Sequence, residues 1–307
     1  MVEKIGGVCL DYKYYPGEDL YSDGFIEDEI LDMVQNNSED QFSKIIQDSL
    51  SWPVLYHLSN QRTNIISWYP FGENDKILEV GSGCGAITSA LAEKAERVTC
   101  IDLSKKRSLI NAYRNKRHQN IDIIVGNFKD VERELDQTYD YITLIGVFEY
   151  GQAYIGGEKP YHDFLKIILK HLKPGGKVLL AIENKYGLKY FAGCQEDHVG
   201  RFFEGMEGYQ NTDGVRTFSR QELTKIIEDC GCRDYYFYYP HPDYKFPKLI
   251  FSDDYLPKTG ELTQNICNFD RRRLVLFDEG KVYNQIIQDG MYPIFANSFL
   301  VEIRKEG

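Results

Sequence analysis

The chain has 307 residues, 42% of them hydrophobic and 27% charged, with a formal net charge of −11. That composition permits one large domain, or a core with sizeable additions, and excludes a disordered protein. A nucleic-acid binder would usually carry a basic stripe, and a pI of about 5.1 argues against one. No apolar stretch approaches the length of about 18 residues that a membrane span needs. The opening "MVEKIGGVCLDYKYY" lacks the charged-then-apolar plan of a signal peptide. The seven cysteines are scattered, odd in number and without a C-x-x-C pair. They read as free thiols in a reducing compartment, so a cytoplasmic location is expected.

Residues 1–74 precede the first strongly patterned stretch and are expected to form a helical extension. Pro16-Gly17 and Asp23-Gly24 are turn chemistry. From Phe42 to Trp68 apolar residues recur at helical intervals, and Pro53 interrupts them, which predicts at least two helices.

The stretch "KILEVGSGCGAITSALAEKAERVTCIDLS" (76–104) organises the rest. Ile77 to Val80 is an apolar run suited to one buried strand. Gly81, Gly83 and Gly85 follow, then apolar residues at helical spacing from Ala86 to Ala95. A second strand, Arg97 to Ile101, ends on Asp102. Glycines let a ligand lie against the backbone without meeting a Cβ, and an acid at the tip of the next strand reaches both hydroxyls of a ribose. A nucleoside-containing cofactor follows. "GSGCGA" by itself fits either a dinucleotide or S-adenosylmethionine.

Next come a basic amphipathic helix, "KKRSLINAYRNKRH" (105–118), opened by Ser104 as N-cap and read as a solvated outer face. "IDIIVGNF" (121–128) is a third strand and its turn. Tyr139 to Gly146 is a nearly continuous apolar strand. Phe164 to Leu172 reads as a helix, and "KPGG" (173–176) as the stop before a strand over Lys177–Ile182. Two insertions are expected at the carboxyl edge of the sheet, at about 183–217 and 240–296. Between them Ser219-x-x-Glu222 is a capping-box pattern, and 235–240 is a sixth strand. Residues 297–305 supply a closing strand.

These segments resemble the class I S-adenosylmethionine-dependent methyltransferases. "LEVGSGCG" (78–85) is similar to their glycine motif, with Glu79 as its leading acid. "IDLS" (101–104) is similar to their ribose-binding acid, and 139–150 and 172–184 to their fourth and fifth strands. The resemblance implies a Rossmann-like α/β fold over residues 75–307, a mostly parallel seven-stranded sheet whose last strand is antiparallel. It implies S-adenosylmethionine held by Glu79, Gly81, Gly83, Gly85, Asp102, Leu103, Asn127, Phe128 and Gly146. Asn127 stands where the family often has Asp, and an amide still hydrogen-bonds an adenine edge. Segments before the first strand commonly cover the cleft in the family, which makes Tyr56, His57 and Arg62 lid candidates. An Arg there could pair with the methionine carboxylate. "VFEY" (147–150) is not the N-P-P-Y type end of amino-methylating enzymes.

"ENKYGLKYFAG", "EDH" and "YYPHPDYKFP" resemble a branch found with glycosyltransferases in bacterial surface-glycan assembly. This implies methyl transfer to a small-molecule or glycan acceptor, through a hydroxyl, with a glycosyltransferase as partner and no nucleic acid. The alternative is a catalytically silent cofactor-binding module of a glycosyltransferase system. A base is needed for a hydroxyl acceptor. Among the six histidines, His198 sits in the first long insertion beside Asp197, and is expected to be the base with Asp197 or Glu183 as orienter or substitute. No set of metal ligands stands out.

Overall fold

The computed structural model describes residues 1–19, 21–267 and 270–306. The chain divides into two compact units. One comprises Met1–Leu144 and Ile167–Lys177, and the other comprises Ile145–Lys166 and the chain from Val178 onward.

The first unit contains β1 (Val2–Ile5), β2 (Val8–Tyr14), β3 (Lys76–Val80), β4 (Arg97–Asp102), β5 (Ile121–Gly126) and β6 (Tyr139–Ile145), side by side in the order β1-β2-β5-β4-β3-β6. β1 and β2 form an antiparallel hairpin, and β2–β5, β5–β4, β4–β3 and β3–β6 are all parallel. Ile77, Leu78 and Val80 are buried, as are Val98, Cys100 and Ile101, the pattern of strands covered on both faces.

One expectation for residues 1–74 changes. They begin with a hairpin, because Val8 and Leu10 alternate inward with polar neighbours and β2 adds to the edge at β5. The helices expected on either side of the Pro53 interruption are present, Phe42–Ser49 and Trp52–Leu58, and Pro53 lies in the first turn of the second, where its missing N–H costs nothing.

The basic helix, observed at Lys105–Arg114, is not a solvated face. Arg107 and Arg114 are buried, because the acidic extension lies on them. Glu27 accepts from Arg107 Nε at 2.7 Å and Asp23 pairs with its Nη2 at 2.7 Å. Asp19 accepts the N–H groups of Lys105 and Lys106 at 2.6 and 3.1 Å and the Ser104 hydroxyl at 3.0 Å. One carboxylate thus satisfies orphan donors at the start of the helix.

The second unit takes up β7 (Leu172–Glu183) from Val178, then β8 (Tyr235–His241), β9 (Leu249–Ser252) and β10 (Ser298–Arg304), in the order β7-β10-β8-β9. β10 is antiparallel to β8, with Leu300 opposite Tyr238, as expected of the closing strand, and β9 is antiparallel to β8. β7 starts earlier than expected, running through Lys173–Gly176 instead of stopping there. With β1, β2 and β9 the described residues hold ten strands in place of the expected seven. The capping box at Ser219 and Glu222 is present, opening the helix Arg220–Asp229.

Candidate functional site

In the first unit the glycine turn follows β3 directly. Gly81, Gly83 and Gly85 have φ of 71°, 52° and 73°, a region that strains any residue with a Cβ. The three play different parts. A Cβ on Gly85 would stand 2.3 Å from Asn111 Oδ1, so this glycine lets the turn pack on the helix Lys105–Arg114. A Cβ on Gly83 would meet nothing within 4 Å. That open space is the cradle in which a ligand can approach the backbone.

Asp102 ends β4 beside it. Its Oδ2 accepts from Gly83 N–H at 2.7 Å and its Oδ1 from Ser104 N–H at 2.9 Å. These bonds fix the carboxylate while each oxygen keeps a further lone pair. Burial raises its pKa, opposed by the Ser104 N–H. Asp102 and Leu103 are half-buried at the lip of this turn.

Glu79 is buried, accepting from the Thr88 hydroxyl at 2.7 Å and lying 3.4 Å from Cys100 Sγ. Burial pushes its carboxyl up to about 7. Thr88 is in turn bonded by Asn111 at 3.2 Å, so Glu79 braces the base of the turn from within. Asn127 caps a short helix through Lys129 N–H at 3.0 Å, and Phe128 is buried beneath it. His57 is buried, 3.1 Å from Asp23 Oδ2. Arg62 is buried with its guanidinium 3.9 Å over the Tyr56 ring, and its Nε and Nη1 have no acceptor among the described residues. Buried, unpaired guanidinium N–H groups are costly, and an anionic group would satisfy them.

The second unit contains a separate cluster of ionisable side chains. Glu149 stands in the turn Phe148–Tyr150 just past β6, anchored by Phe148, whose buried ring stacks on Phe164 at 5.6 Å. Glu183 is the last residue of β7. The next residue, Asn184, ties the strand end down through bonds to the carbonyls of Ile294 and Ala296, each 2.7 Å. His198 comes from the insertion, where Glu196 closes a turn by accepting from the N–H groups of His198 and Val199, both at 2.7 Å.

These turns bring His198 Nε2 to 3.5 Å from Glu149 Oε1 and 3.9 Å from Glu183 Oε2. Its Nδ1 lies 2.9 Å from Glu196 Oε1. Glu196 accepts two backbone N–H bonds and is ionised, so Nδ1 carries a hydrogen. Burial would lower the His198 pKa, but Glu149, Glu183 and Glu196 hold it well above the ordinary imidazole value. Glu149 moves up, through burial and the nearby Glu183 charge, with His198 opposing. Tyr150 meets the imidazole edge to face at 5.6 Å.

Asp197, expected to orient His198, does not touch it. Consecutive residues in the turn point opposite ways. Asp197 faces Lys189 Nζ at 2.8 Å, Lys245 Nζ at 2.5 Å and Tyr190 Oη at 2.6 Å. Burial would raise Asp197, yet the two lysines hold it well below the usual carboxylate range. Lys245 also reaches Glu183 Oε1 at 2.6 Å. Sequence reasoning missed Glu149 and Lys245. "VFEY" lies where ligands bind such sheets, which is the signal that could have singled out Glu149. Gly146, also in this unit, has a φ of 69°. The Tyr244 hydroxyl lies 2.7 Å from where its Cβ would stand.

A family model described as "Methyltransferase domain" matches residues 78–178. Those residues include the glycine turn, Asp102 and Glu149. Residues 78–178 are thus similar to a methyltransferase domain. The open cradle at Gly83, with Asp102 beside it, fits S-adenosylmethionine. A relative named "Uncharacterized methyltransferase", from Staphylococcus carnosus, is 26% identical over 160 residues, 51% of this chain and 69% of the relative. A malonyl-[acyl-carrier protein] O-methyltransferase of Priestia megaterium is 24% identical over 181 residues, 57% of this chain and 60% of its own. The mitochondrial ubiquinone biosynthesis O-methyltransferase of Schizosaccharomyces pombe is 26% identical over 177 residues, 53% of this chain and 60% of its own. The chain thus spans only 60% of the length of these last two relatives. Among solved structures, a SAM dependent methyltransferase from Archaeoglobus fulgidus is similar in fold, with a TM-score of 0.50 at 13% identity, covering 83% of this chain and 100% of that one. The shared fold is Rossmann-like, with a mixed, mostly parallel sheet and antiparallel C-terminal strands.

Proposed function

We propose that this methyltransferase acts on a hydroxyl of a polar acceptor, a sugar or glycan precursor, with the His198 cluster taking the proton. The observation that carries this reading is the partly buried imidazole set against the buried Glu149 and Glu183. Both carboxylates stand at the carboxyl ends of their strands, the edge at which open α/β sheets bind ligands. A module that only held the cofactor would have no use for such a group, so the cluster favours an enzyme over the silent partner of a glycosyltransferase.

Bound S-adenosylmethionine supplies a methyl group on a sulfonium centre. The acceptor oxygen forms the new bond to that carbon, the carbon–sulfur bond breaks with its electron pair left on sulfur, and the hydroxyl proton goes to the protein. His198 Nε2 is the proposed recipient, with Glu196 fixing the hydrogen on Nδ1. Because its neighbours hold His198 in the charged form, the imidazole must first release its own proton, and activity rises toward alkaline pH. On the cofactor side, Asp102 accepts from the ribose hydroxyls and Arg62 pairs with the methionine carboxylate. Glu79, Leu103, Asn127, Phe128 and Gly146 complete the proposed cofactor surroundings, Glu79 by bracing the turn. Other members of the proposed cluster, Asp197 among them, hold its charges in place.

Incubating the purified chain with methyl-labelled cofactor and panels of hydroxylated sugars, sugar nucleotides and amines tests the reading. Label is expected in a methyl ether. Incorporation confined to amines, or none with any hydroxyl acceptor, overturns it.

A further inference from the structure

We infer that Glu149, Glu183 and His198 form a binding site for one divalent cation of the manganese type. One donor atom from each of the three can be chosen so that all lie within 4.8 Å of one another. Ligands about 2.0–2.2 Å from a shared ion stand about 3–4.4 Å apart. The observed 3.5 and 3.9 Å from His198 Nε2 to the two carboxylates fall in that window.

A second observation points to a missing partner. Glu149 is 1% and Glu183 0% exposed, and Glu149 Oε2 and Glu183 Oε2 have no hydrogen-bond partner among the described residues. Buried carboxylate oxygens normally find one. Lys245 takes the other Glu183 oxygen, Oε1, at 2.6 Å, which leaves Oε2 on the side of His198.

The surroundings suit an ion as well. Glu196 receives the Nδ1 hydrogen at 2.9 Å and is itself held by the Tyr209 hydroxyl at 3.0 Å. A carboxylate on the far nitrogen is the usual support for a metal-bound imidazole, presenting Nε2 as the donor. Charge gives the third argument. Among the described residues, Glu149, Glu183, Glu196, Asp197 and Asp243 are ion-paired with three cationic side chains, His198, Lys189 and Lys245. An uncompensated negative excess is costly when buried, and a dication that displaces the His198 proton reduces it. Two carboxylates and one imidazole favour a hard-to-borderline ion, manganese over calcium.

Binding of the ion does not depend on the proposed reaction; its use does rest on that reading. A hydroxyl on the ion is more acidic. With the ion bound, His198 Nε2 is a ligand and the proton-accepting role proposed for it above passes to the free oxygen of Glu149; without the ion that role stays with His198.

The test is a Mn²⁺ titration of the chelator-treated full chain, without cofactor or acceptor, followed by electron paramagnetic resonance. One saturable site is expected, with nitrogen coupling from one imidazole in the bound spectrum. Glu149→Gln and Glu183→Gln should each weaken it at least tenfold while S-adenosylhomocysteine binding, which reports folding, is kept. If a variant does not fold, the nitrogen coupling in the parental chain decides alone. Absence of a saturable site, a bound ion without nitrogen coupling, or equal affinity in folded variants overturns the inference. Methyl transfer is not among the readouts, so a failed acceptor panel leaves this result untouched.

Discussion

Glu196 Oε1 stands 2.9 Å from His198 Nδ1, two residues along the chain, while the adjacent Asp197 turns to Lys189 and Lys245. The pairing decides which acid serves the imidazole. His198→Ala should leave cofactor affinity intact and lower turnover by roughly 10²–10⁴-fold. Glu196→Gln should lower turnover as well, whereas Asp197→Asn should act mainly on thermal stability. Parental turnover in His198→Ala would remove the residue from the chemistry.

The ribose role proposed for Asp102 can be tested by substitution. Replacing it with Ala removes a charged acceptor, a loss of roughly 1.5–3 kcal/mol per bond, together with the bonds that steady the Gly83 and Ser104 N–H groups. Calorimetry with S-adenosylhomocysteine should show at least a tenfold weaker complex. Gly83→Val should bind worse still, since its side chain would enter the open space above the turn and strain a φ of 52°. Unchanged affinity in both variants would move the cofactor elsewhere.

The raised pKa of His198 has a sign that melting curves can read. The folded chain binds this proton more tightly than the unfolded chain does. The resulting stability is fully present below the unfolded imidazole value of about 6.5 and is lost as pH rises through the higher folded value. In chelator-treated protein, the Tm advantage of the parent over His198→Gln should therefore be largest at mildly acidic pH and shrink toward alkaline pH. An advantage that grows with pH would mean that the imidazole is buried neutral.

Glu27 is fully buried against Arg107, its Oε1 2.7 Å from Nε. Glu27→Gln removes one of the two carboxylates on the guanidinium and leaves Asp23, a loss of roughly 1.5–3 kcal/mol for one charge-assisted bond. Denaturant unfolding should show it, and a change below about 0.5 kcal/mol, the size of ordinary surface substitutions, would contradict the burial of this pair.

What could be read from the sequence was local. The glycine turn, Asp102 at the tip of β4, the Ser104 cap and the Ser219–Glu222 box each depend on residues close together in the chain. The β1–β2 hairpin was missed because its place depends on β5, more than a hundred residues away. Likewise Glu149, Glu183 and His198 meet only through the ends of two strands and a turn in the insertion, which no periodicity records. The basic helix misled for the same reason, since its partners Asp19, Asp23 and Glu27 lie far upstream.

The hold of Asp19 on the helix Lys105–Arg114 also bears on where this chain can be cut. A fragment trimmed to begin near residue 75 would keep the glycine turn and Asp102 but lose Arg62. It would also bare Arg107 and Arg114, leave Ser104 as the only cap of the helix that follows Asp102, and strip a strand from β5. The leading segment is therefore a wall of the molecule and not an appendage, and evolution or engineering that shortens it must rebuild that wall.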